Sequence, residues 1–175
     1  VLVEPGTPVG FRLVRDARAR LLAAPGAERP HVLAPCPHQD TCPIAASGQP
    51  HASWCHFEQR VQRTALQLAA KAGASVNWED EKFSYVAVRK GAGEDRAPAG
   101  WARLVQPPRK RSGHVLLLAC TPQALIEART VRRAEGALYY KQARRSRWGD
   151  GFLFKPDSSR RRLPRESAQE VMTTS

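Results

Sequence analysis

The chain has 175 residues, a length that suits one domain with a buried core. No apolar run approaches the roughly 20 residues that a bilayer crossing needs, so we predict no membrane association. The formal charge is +12, and residues 101–175 carry 16 basic against 6 acidic side chains, whereas residues 1–100 carry 12 against 10. This asymmetry favours a polyanionic partner, of which nucleic acid is the common one.

The first part of the chain predicts a strand, a helix and a second strand. Residues 1–6 are an apolar run that ends in a turn, and residues 8–24 carry apolar side chains near helical spacing before Pro25-Gly26. Residues 31–35 then form a second apolar run. Strand, helix and strand in about 30 residues predict a βαβ unit, in which the two strands form a parallel pair.

The middle of the chain predicts a helix and two further strands. Residues 54–73 have helical spacing, and Ser53 is a suitable N-cap. The apolar stripe of this predicted helix consists of Phe57, Val61, Ala65 and Leu68. The alternation at 82–90 predicts a strand, residues 91–100 a flexible loop, and residues 101–108 a short strand that ends at two prolines.

The last part of the chain predicts a β-hairpin and a tail. Residues 113–133 contain two apolar runs separated by a turn at 121–123, which puts Cys120 at the tip of the hairpin. From residue 151 onwards the composition predicts a disordered basic tail.

The cysteines are concentrated in one polar, proline-containing loop. Three of the four cysteines and three of the five histidines lie between Ala34 and Arg60. A polar loop rarely buries three thiols for packing alone, so this loop is a candidate metal site. Cys120 would complete the site from the hairpin tip, although its apolar neighbours also suit a plain packing role. The predicted ligands are Cys36, Cys42, Cys55 and Cys120.

The spacing of these cysteines leaves more than one metal open. Four thiolates fit structural zinc or an iron–sulfur cluster, and three thiolates with one histidine (His38, His51 or His56) would also hold zinc. Cys55 lies in the first turn of the predicted helix, where the dipole favours a thiolate. A catalytic pair of Cys55 with His56 is disfavoured, because adjacent helical residues point about 100° apart.

Basic residues flank the hairpin on both sides, which predicts an RNA-binding surface. Positive charge contacts phosphates, and exposed rings of Tyr139, Tyr140 and Trp148 would stack on unpaired bases. The alternative is that these rings pack against the hairpin while the charges face solvent. The predicted RNA-binding residues are Arg109, Lys110, Arg111, Lys141, Arg144, Arg145 and Arg147.

Six blocks carry a resemblance to a known family: "VLVEPGTPVGF", "APCPH…CP", "WCHFEQRVQR", "EDEKFSYVAVRK", "PPRKRSGHVLLLAC" and "YYKQARRSRWGD". In this order, across most of residues 1–150, they are similar to the methyltransferase-like assembly factors of the small ribosomal subunit. Members of that family occur in mitochondria and in many bacteria. The chain resembles the C-terminal portion of such a protein.

The resemblance implies an α/β fold: the C-terminal part of a Rossmann-like methyltransferase fold, with an added β-hairpin and a metal-binding loop. Residues 1–112 would be the Rossmann-like part, including the cysteine loop 34–56. Residues 113–150 would be the hairpin and RNA-binding segment, and residues 151–175 the tail. The four cysteines match the family's [4Fe–4S] ligands, with zinc as the alternative.

The resemblance also implies a function in ribosome assembly. The chain would bind small-subunit rRNA and ribosomal proteins as a monomer, in the mitochondrion or alternatively in the bacterial cytoplasm. An S-adenosylmethionine-dependent rRNA methyltransferase and a zinc-stabilised RNA-binding module are the alternatives. The Gly-rich cofactor turn is absent, because Gly91 and Gly93 follow a strand without opening a helix. No catalytic or cofactor-binding residue is assigned, and the cofactor is expected only if an N-terminal half precedes Val1.

Overall fold

The computed structural model describes residues 1–25, 30–46, 54–71, 73, 76–91, 98 and 100–155. These residues form four α-helices, nine strands and a short 3₁₀ helix at Arg133–Glu135. The helices are α1 (Pro8–Ala23), α2 (Pro43–Ala46), α3 (Ala65–Ala70) and α4 (Ala137–Arg145). The strands are β1 (Leu2–Pro5), β2 (His31–Ala34), β3 (Phe57–Gln62), β4 (Trp78–Arg89), β5 (Trp101–Leu104), β6 (Arg109–Arg111), β7 (His114–Cys120), β8 (Ile126–Arg132) and β9 (Gly151–Leu153). The fold is mixed α/β with antiparallel sheets.

The first sheet is organised around the long strand β4. Strands β1, β2 and β3 each pair with β4 in antiparallel orientation. The predicted strands at 1–6 and 31–35 and the helix between them are confirmed as β1, β2 and α1. The predicted direct pairing of β1 with β2 is wrong: they run in the same direction, but β4 lies between them. Sequence patterns indicate which residues form strands but not which strands pair, so the position of β4 between β1 and β2 could not be predicted.

Helix α1 begins where its sequence favours a helix start. The Thr7 hydroxyl accepts a hydrogen bond from the Gly10 amide at 3.1 Å, and Pro8 occupies the first turn. Val14 packs with Val32 and Val86, which join the helix to β2 and β4. Helix α1 therefore packs on β2, next to Cys36 in the loop that follows β2.

The predicted helix at 54–73 is wrong over its first half. Residues 57–62 form β3, which pairs with β4 from Phe57 opposite Phe83 to Gln62 opposite Trp78. A helix begins only after Thr64, whose side chain and that of Gln67 form a capping box for α3. The predicted N-cap Ser53 lies outside the described residues. Residues 57–62 form a strand despite their helical spacing because pairing with β4 adds hydrogen bonds and cross-strand contacts. These contacts are distant in sequence, so the local pattern does not show them.

The second sheet contains the predicted hairpin. Its strand order is β6-β7-β5-β9, and β8 pairs with β7. The hairpin prediction is confirmed, with Cys120 opposite Ile126 beside the turn. Residues 151–155 differ from the predicted tail, because β9 pairs with β5, and Phe152 in β9 and Phe154 just after it are buried. Residues 156–175 of that tail, and most of the predicted loop 91–100, lie outside the described residues.

Strand β7 is apolar on both faces because both faces are covered. Val115, Leu117 and Ala119 pack in a cluster with Tyr140 and Ala143 of α4. The alternate residues Leu118 and Cys120 pack on the opposite face with Val105 and Cys55. The two-residue period of a strand therefore turns the Cys120 side chain away from α4 and towards the segment that precedes β3.

Polar contacts join the two sheets near the cysteines. Arg103 of β5 donates hydrogen bonds to the carbonyl oxygens of Pro35, at 3.1 Å, and Gly149, at 2.7 Å. The His56 ring meets the edge of the Trp148 ring with centroids 4.6 Å apart. These contacts hold the loop after β2, the start of β3 and the segment before β9 together. None of the described helices is long and apolar enough to cross a membrane.

Candidate metal centre

One cavity brings together all four cysteines, which come from four separate places in the fold. Cys36 follows β2, Cys42 precedes α2, Cys55 precedes β3 and Cys120 ends β7. All four line the same cavity of about 40 Å³, together with the guanidinium-bearing side chains Arg15, Arg18 and Arg103. The apolar part of the lining consists of Phe11, Val14, Pro35, Pro43, Ile44, Phe57, Val86, Val105 and Ile126.

The environment of the thiols favours their neutral form. Burial raises the pKa of Cys55 well above its ordinary value, and the neighbouring thiols Cys36, Cys42 and Cys120 raise it further. Burial also raises the pKa of Cys120, with Cys36 and Cys42 adding to the effect. The pKa of Cys36 is raised by burial and is partly lowered again by Arg18. These mutual effects are consistent with four thiols that line one cavity.

The prediction that a helix N-terminus favours a Cys55 thiolate is wrong. Cys55 lies outside any helix, just before β3, and its carbonyl oxygen accepts a hydrogen bond from Ser84 Oγ at 2.8 Å. Without a helix dipole, burial dominates and the pKa rises instead of falling. A positively charged metal centre is then what would stabilise the thiolate.

The three histidines considered as zinc ligands have different surroundings. His38 is buried, and its Nε2 lies 3.4 Å from Cys120 Sγ, within hydrogen-bond range for sulfur. Burial, followed by the charge of Arg18, lowers the pKa of His38. His56 shares a 3.0 Å hydrogen bond between its Nδ1 and the carbonyl oxygen of Trp54. His51 lies outside the described residues.

Two polar atoms beside the cavity have no partner in the described part of the chain. Arg18 is buried on α1 and donates a hydrogen bond from Nη2 to the His38 carbonyl oxygen at 3.0 Å. Its Nε atom and the Nδ1 atom of His38 are buried and lack a hydrogen-bond partner among the described residues. A buried polar atom without a partner marks a place where a further group is expected.

The donor set fits a soft metal centre. Thiolates are the ligands that zinc and iron–sulfur clusters prefer, and an apolar wall limits access of water to them. No three His, Cys, Asp or Glu side chains within the described ranges already stand in the arrangement that holds a single ion. The observation that supports a metal centre here is that four thiols line one cavity between the two sheets.

The predicted RNA-binding residues lie at the surface on two elements that touch. Lys110 and Arg111 of β6 are exposed, and Arg109 is half-buried. Lys141, Arg144, Arg145 and Arg147 are all exposed on or just after α4. Arg144 Nη1 lies 3.5 Å from the Arg111 carbonyl oxygen, so the two groups form one continuous surface. We call this set of seven residues the basic surface.

The aromatic side chains nearby are not exposed stacking platforms. Tyr139 and Tyr140 are buried, and both belong to the core cluster beneath α4. The alternative from the sequence, in which these rings pack against the hairpin, is therefore correct for the tyrosines. Trp148 is half-buried with its ring against His56.

Sequence reasoning missed Arg18 and Arg103. A signal for Arg18 exists: it stands four residues after the buried Val14, on the apolar stripe of α1, where a basic side chain is unusual. For Arg103 no local signal exists, because polar and apolar residues alternate in any half-buried strand. Only the pairing of β5 with the end of β7 brings it beside the cysteines.

Comparison with known proteins gives consistent matches over most of the chain. Residues 1–153 match the family model described as "Mitochondrial small ribosomal subunit Rsm22". Human "Ribosome assembly protein METTL17, mitochondrial" is 35% identical over 156 residues, which covers 86% of this chain and 31% of the human protein. "Rsm22-cox11 tandem protein 2, mitochondrial" of Schizosaccharomyces pombe is 31% identical over 180 residues, covering 87% of this chain and 24% of the relative.

A more distant relative completes the comparison. "Ribosome assembly protein RSM22, mitochondrial" of Saccharomyces cerevisiae is 22% identical over 238 residues, covering 86% of this chain and 38% of the yeast protein. The chain thus spans 24% to 38% of the length of these three relatives. The predicted mitochondrial location and the family resemblance are both confirmed. The chain belongs to the Rsm22 family of mitochondrial small ribosomal subunit proteins.

Proposed function

We propose that this chain is the cluster-bearing and RNA-binding part of an assembly factor for the mitochondrial small ribosomal subunit. Cys36, Cys42, Cys55 and Cys120 would hold a [4Fe–4S] cluster, and the basic surface would bind small-subunit rRNA. The observation that carries the proposal is that four thiols from four segments line one cavity. Two relatives are named ribosome assembly proteins, which supports the process.

The cluster would act as a structural link. When bound, it would supply bonds from one inorganic centre to four cysteines, which would tie Cys36, Cys42 and Cys55 to the hairpin. The chain's own residues exclude water from the site and hold the segments in place, as Ser84 does for Cys55. Loss of the cluster would then loosen the sheet that carries the basic surface, because Cys120 ends β7 and β6 pairs with the other end of β7.

Metal content separates the cluster from zinc. We expect anaerobically purified protein to contain about four iron and four sulfide per chain and to absorb visible light. Serine substitution of each cysteine in turn should abolish or sharply reduce iron binding, whereas Ser112→Ala, in the exposed turn between β6 and β7, should leave it intact. A colourless protein with one zinc per chain would refute the cluster and favour the zinc-stabilised RNA-binding module.

The basic surface is proposed for RNA because of its charge and exposure. Its exposed residues are not neutralised by the described ion pairs, which involve Arg15, Arg60, Arg63, Lys71 and Arg129. The buried tyrosines do not stack on bases, so phosphate contacts would dominate binding. Such contacts give affinity that falls steeply with salt and depends little on sequence.

A charge-matched pair of triple variants tests the RNA site. Replacement of Arg144, Arg145 and Arg147 by alanine should weaken binding to small-subunit rRNA and reduce the salt slope by about one per lost phosphate contact. Replacement of Arg12 and Arg20 on α1 and of Lys82 on β4 removes the same charge from other exposed positions and should change the slope much less. Equal slopes for the two triple variants would move the RNA site away from α4.

We also propose that β1, α1 and β2 belong to a Rossmann-like methyltransferase half. The two strands run in the same direction and are joined by a helix that packs on their sheet, which supports this assignment. In that case this chain alone should not bind S-adenosylmethionine, since it has no Gly-rich turn after its first strand. Saturable micromolar binding of labelled cofactor would favour the alternative, an rRNA methyltransferase.

A further inference from the structure

Within the described residues, a buried cation stands beside the cysteines without a carboxylate partner. Arg18 is 5% exposed, and its Nε has no hydrogen-bond partner in the described part of the chain. Among the described residues no ion pair joins Arg18 to an acidic side chain. A buried charge without a counter-charge is costly, and an anion placed beside it offsets that cost.

The guanidinium of Arg18 is placed at the thiols. It lines the same cavity as the four cysteines, and it lowers the pKa of Cys36 by charge and by a side-chain hydrogen bond. It also fixes the His38 carbonyl oxygen at 3.0 Å, while His38 Nε2 lies 3.4 Å from Cys120 Sγ. Arg18 is thus connected, directly or through one residue, to thiols on both sides of the cavity.

A second arginine reaches the cavity from the other sheet. Arg103 lines it from β5, where hydrogen bonds to Pro35 and Gly149 hold the side chain. Arg103 also lowers the pKa of Cys36 and Cys55, opposing the larger effect of burial. Arg18 on α1 and Arg103 on β5 therefore reach the cavity from different elements, while the charge of the third lining arginine, Arg15, is offset by its ion pair with Asp16.

The charges balance only when the thiols are ligated. Four thiolates around a dication, whether Zn²⁺ or an oxidised [4Fe–4S] core, carry a net charge of −2. Two guanidinium groups supply +2. Metal binding releases the protons of the thiols, so the negative charge beside Arg18 belongs to the ligated site.

We propose that Arg18 is a positioning residue whose buried charge, together with that of Arg103, neutralises the thiolates of the ligated site. This inference rests on the proposed cluster. Arg18 should therefore stabilise the metal-loaded protein more than it stabilises the metal-free protein. It also raises the reduction potential of the cluster, because positive charge stabilises the more negative reduced state.

The test compares three variants of the anaerobically reconstituted chain. Arg18→Met removes the buried charge and keeps most of the side-chain volume, whereas Arg12→Met removes one charge from an exposed position on the same helix. Arg18→Lys keeps the charge. We expect Arg18→Met to lower the reduction potential by about 59 mV or more, which is tenfold in a one-electron equilibrium.

Iron release to a chelator gives a second readout, and we expect it to be at least about tenfold faster in Arg18→Met than in Arg12→Met. Arg18→Lys should recover most of both losses. A purely structural role for Arg18 would lower the thermal unfolding midpoint of loaded and metal-free protein equally. The proposal requires the larger loss in the loaded protein.

The outcomes separate this inference from the cluster itself. Wild-type protein that takes up no iron overturns the cluster, and the inference with it. Wild-type protein with a cluster, and an Arg18→Met variant that matches Arg12→Met in potential and iron release, overturns the inference alone. Should Arg18→Met not fold, Arg103→Met against Arg12→Met decides: a lower potential and faster iron release support the proposal, and unchanged values overturn it.

Discussion

Replacement of Ser84 by alanine tests how firmly the cysteine-bearing segment is held to β4. Ser84 is 1% exposed, and its Oγ donates the 2.8 Å hydrogen bond to the Cys55 carbonyl oxygen. Alanine fits the same space without the hydroxyl. The Cys55 carbonyl then loses its side-chain donor in a part-buried position, where water replaces it poorly.

The size of the effect follows from that lost donor. Leaving one partner of a buried hydrogen bond unsatisfied costs about 1–3 kcal/mol, so we expect the free energy of unfolding to fall by about 1–2 kcal/mol. Urea unfolding of the metal-free chain, followed by circular dichroism, measures this difference. Ser112→Ala removes a hydroxyl from an exposed turn and should stay within about 0.5 kcal/mol of wild type.

Two results would contradict this reasoning. A loss of less than about 0.5 kcal/mol for Ser84→Ala, equal to that of Ser112→Ala, means that the hydrogen bond does not hold the segment. Unchanged iron release after a large loss of stability would mean that Cys55 is positioned by other contacts. In the expected case Ser84→Ala destabilises the chain and also speeds iron release.

Gly10→Ala should destabilise the chain by about 3 kcal/mol or more, because the added Cβ would lie 2.1 Å from the Pro5 carbonyl oxygen, where α1 crosses the end of β1. Thermal unfolding measures this loss, and a near-wild-type midpoint would refute the close approach. The Glu79 carboxylate has a lowered pKa, because Lys71 and then Arg63 donate hydrogen bonds to it. Its contribution to stability is therefore present at neutral pH and is lost as the pH falls below the ordinary glutamate value of about 4.3 and through the lowered folded value. Glu79→Gln should make the free energy of unfolding depend less on pH in this acidic range. If it falls equally with pH in both proteins, the ion pairs of Glu79 do not contribute to stability.

The local elements of this fold were predictable where one pattern dominated. The stripe of α1, the alternation in β4 and the paired runs of β7 and β8 each follow a single period. Residues 57–62 follow two periods at once, and the choice between them depends on a partner strand about 20 residues further along the chain. Helix α4 was not predicted, although the buried Tyr139, Tyr140 and Ala143 have helical spacing.

The candidate site was predictable as a list of cysteines but not as an environment. The concentration of thiols in a polar loop indicates the donor set without any structure. The Cys55 pKa could not be foreseen, because it depends on whether the following residues form a helix or a strand. Arg18, His38 and Arg103 come from three elements that only the assembled sheets bring to the cavity.

The dependence of β1, β2 and β3 on β4 has a consequence for biosynthesis. All three strands precede β4 in the chain, and their described ladders are completed only with residues 78–89. A translating ribosome adds about 5–20 residues per second, so these strands wait for seconds without a partner. Cys36, Cys42 and Cys55 emerge in that interval, ahead of Cys120. The nascent polypeptide therefore exposes three sulfhydryls to the surrounding solution before the strands that later enclose them have been translated.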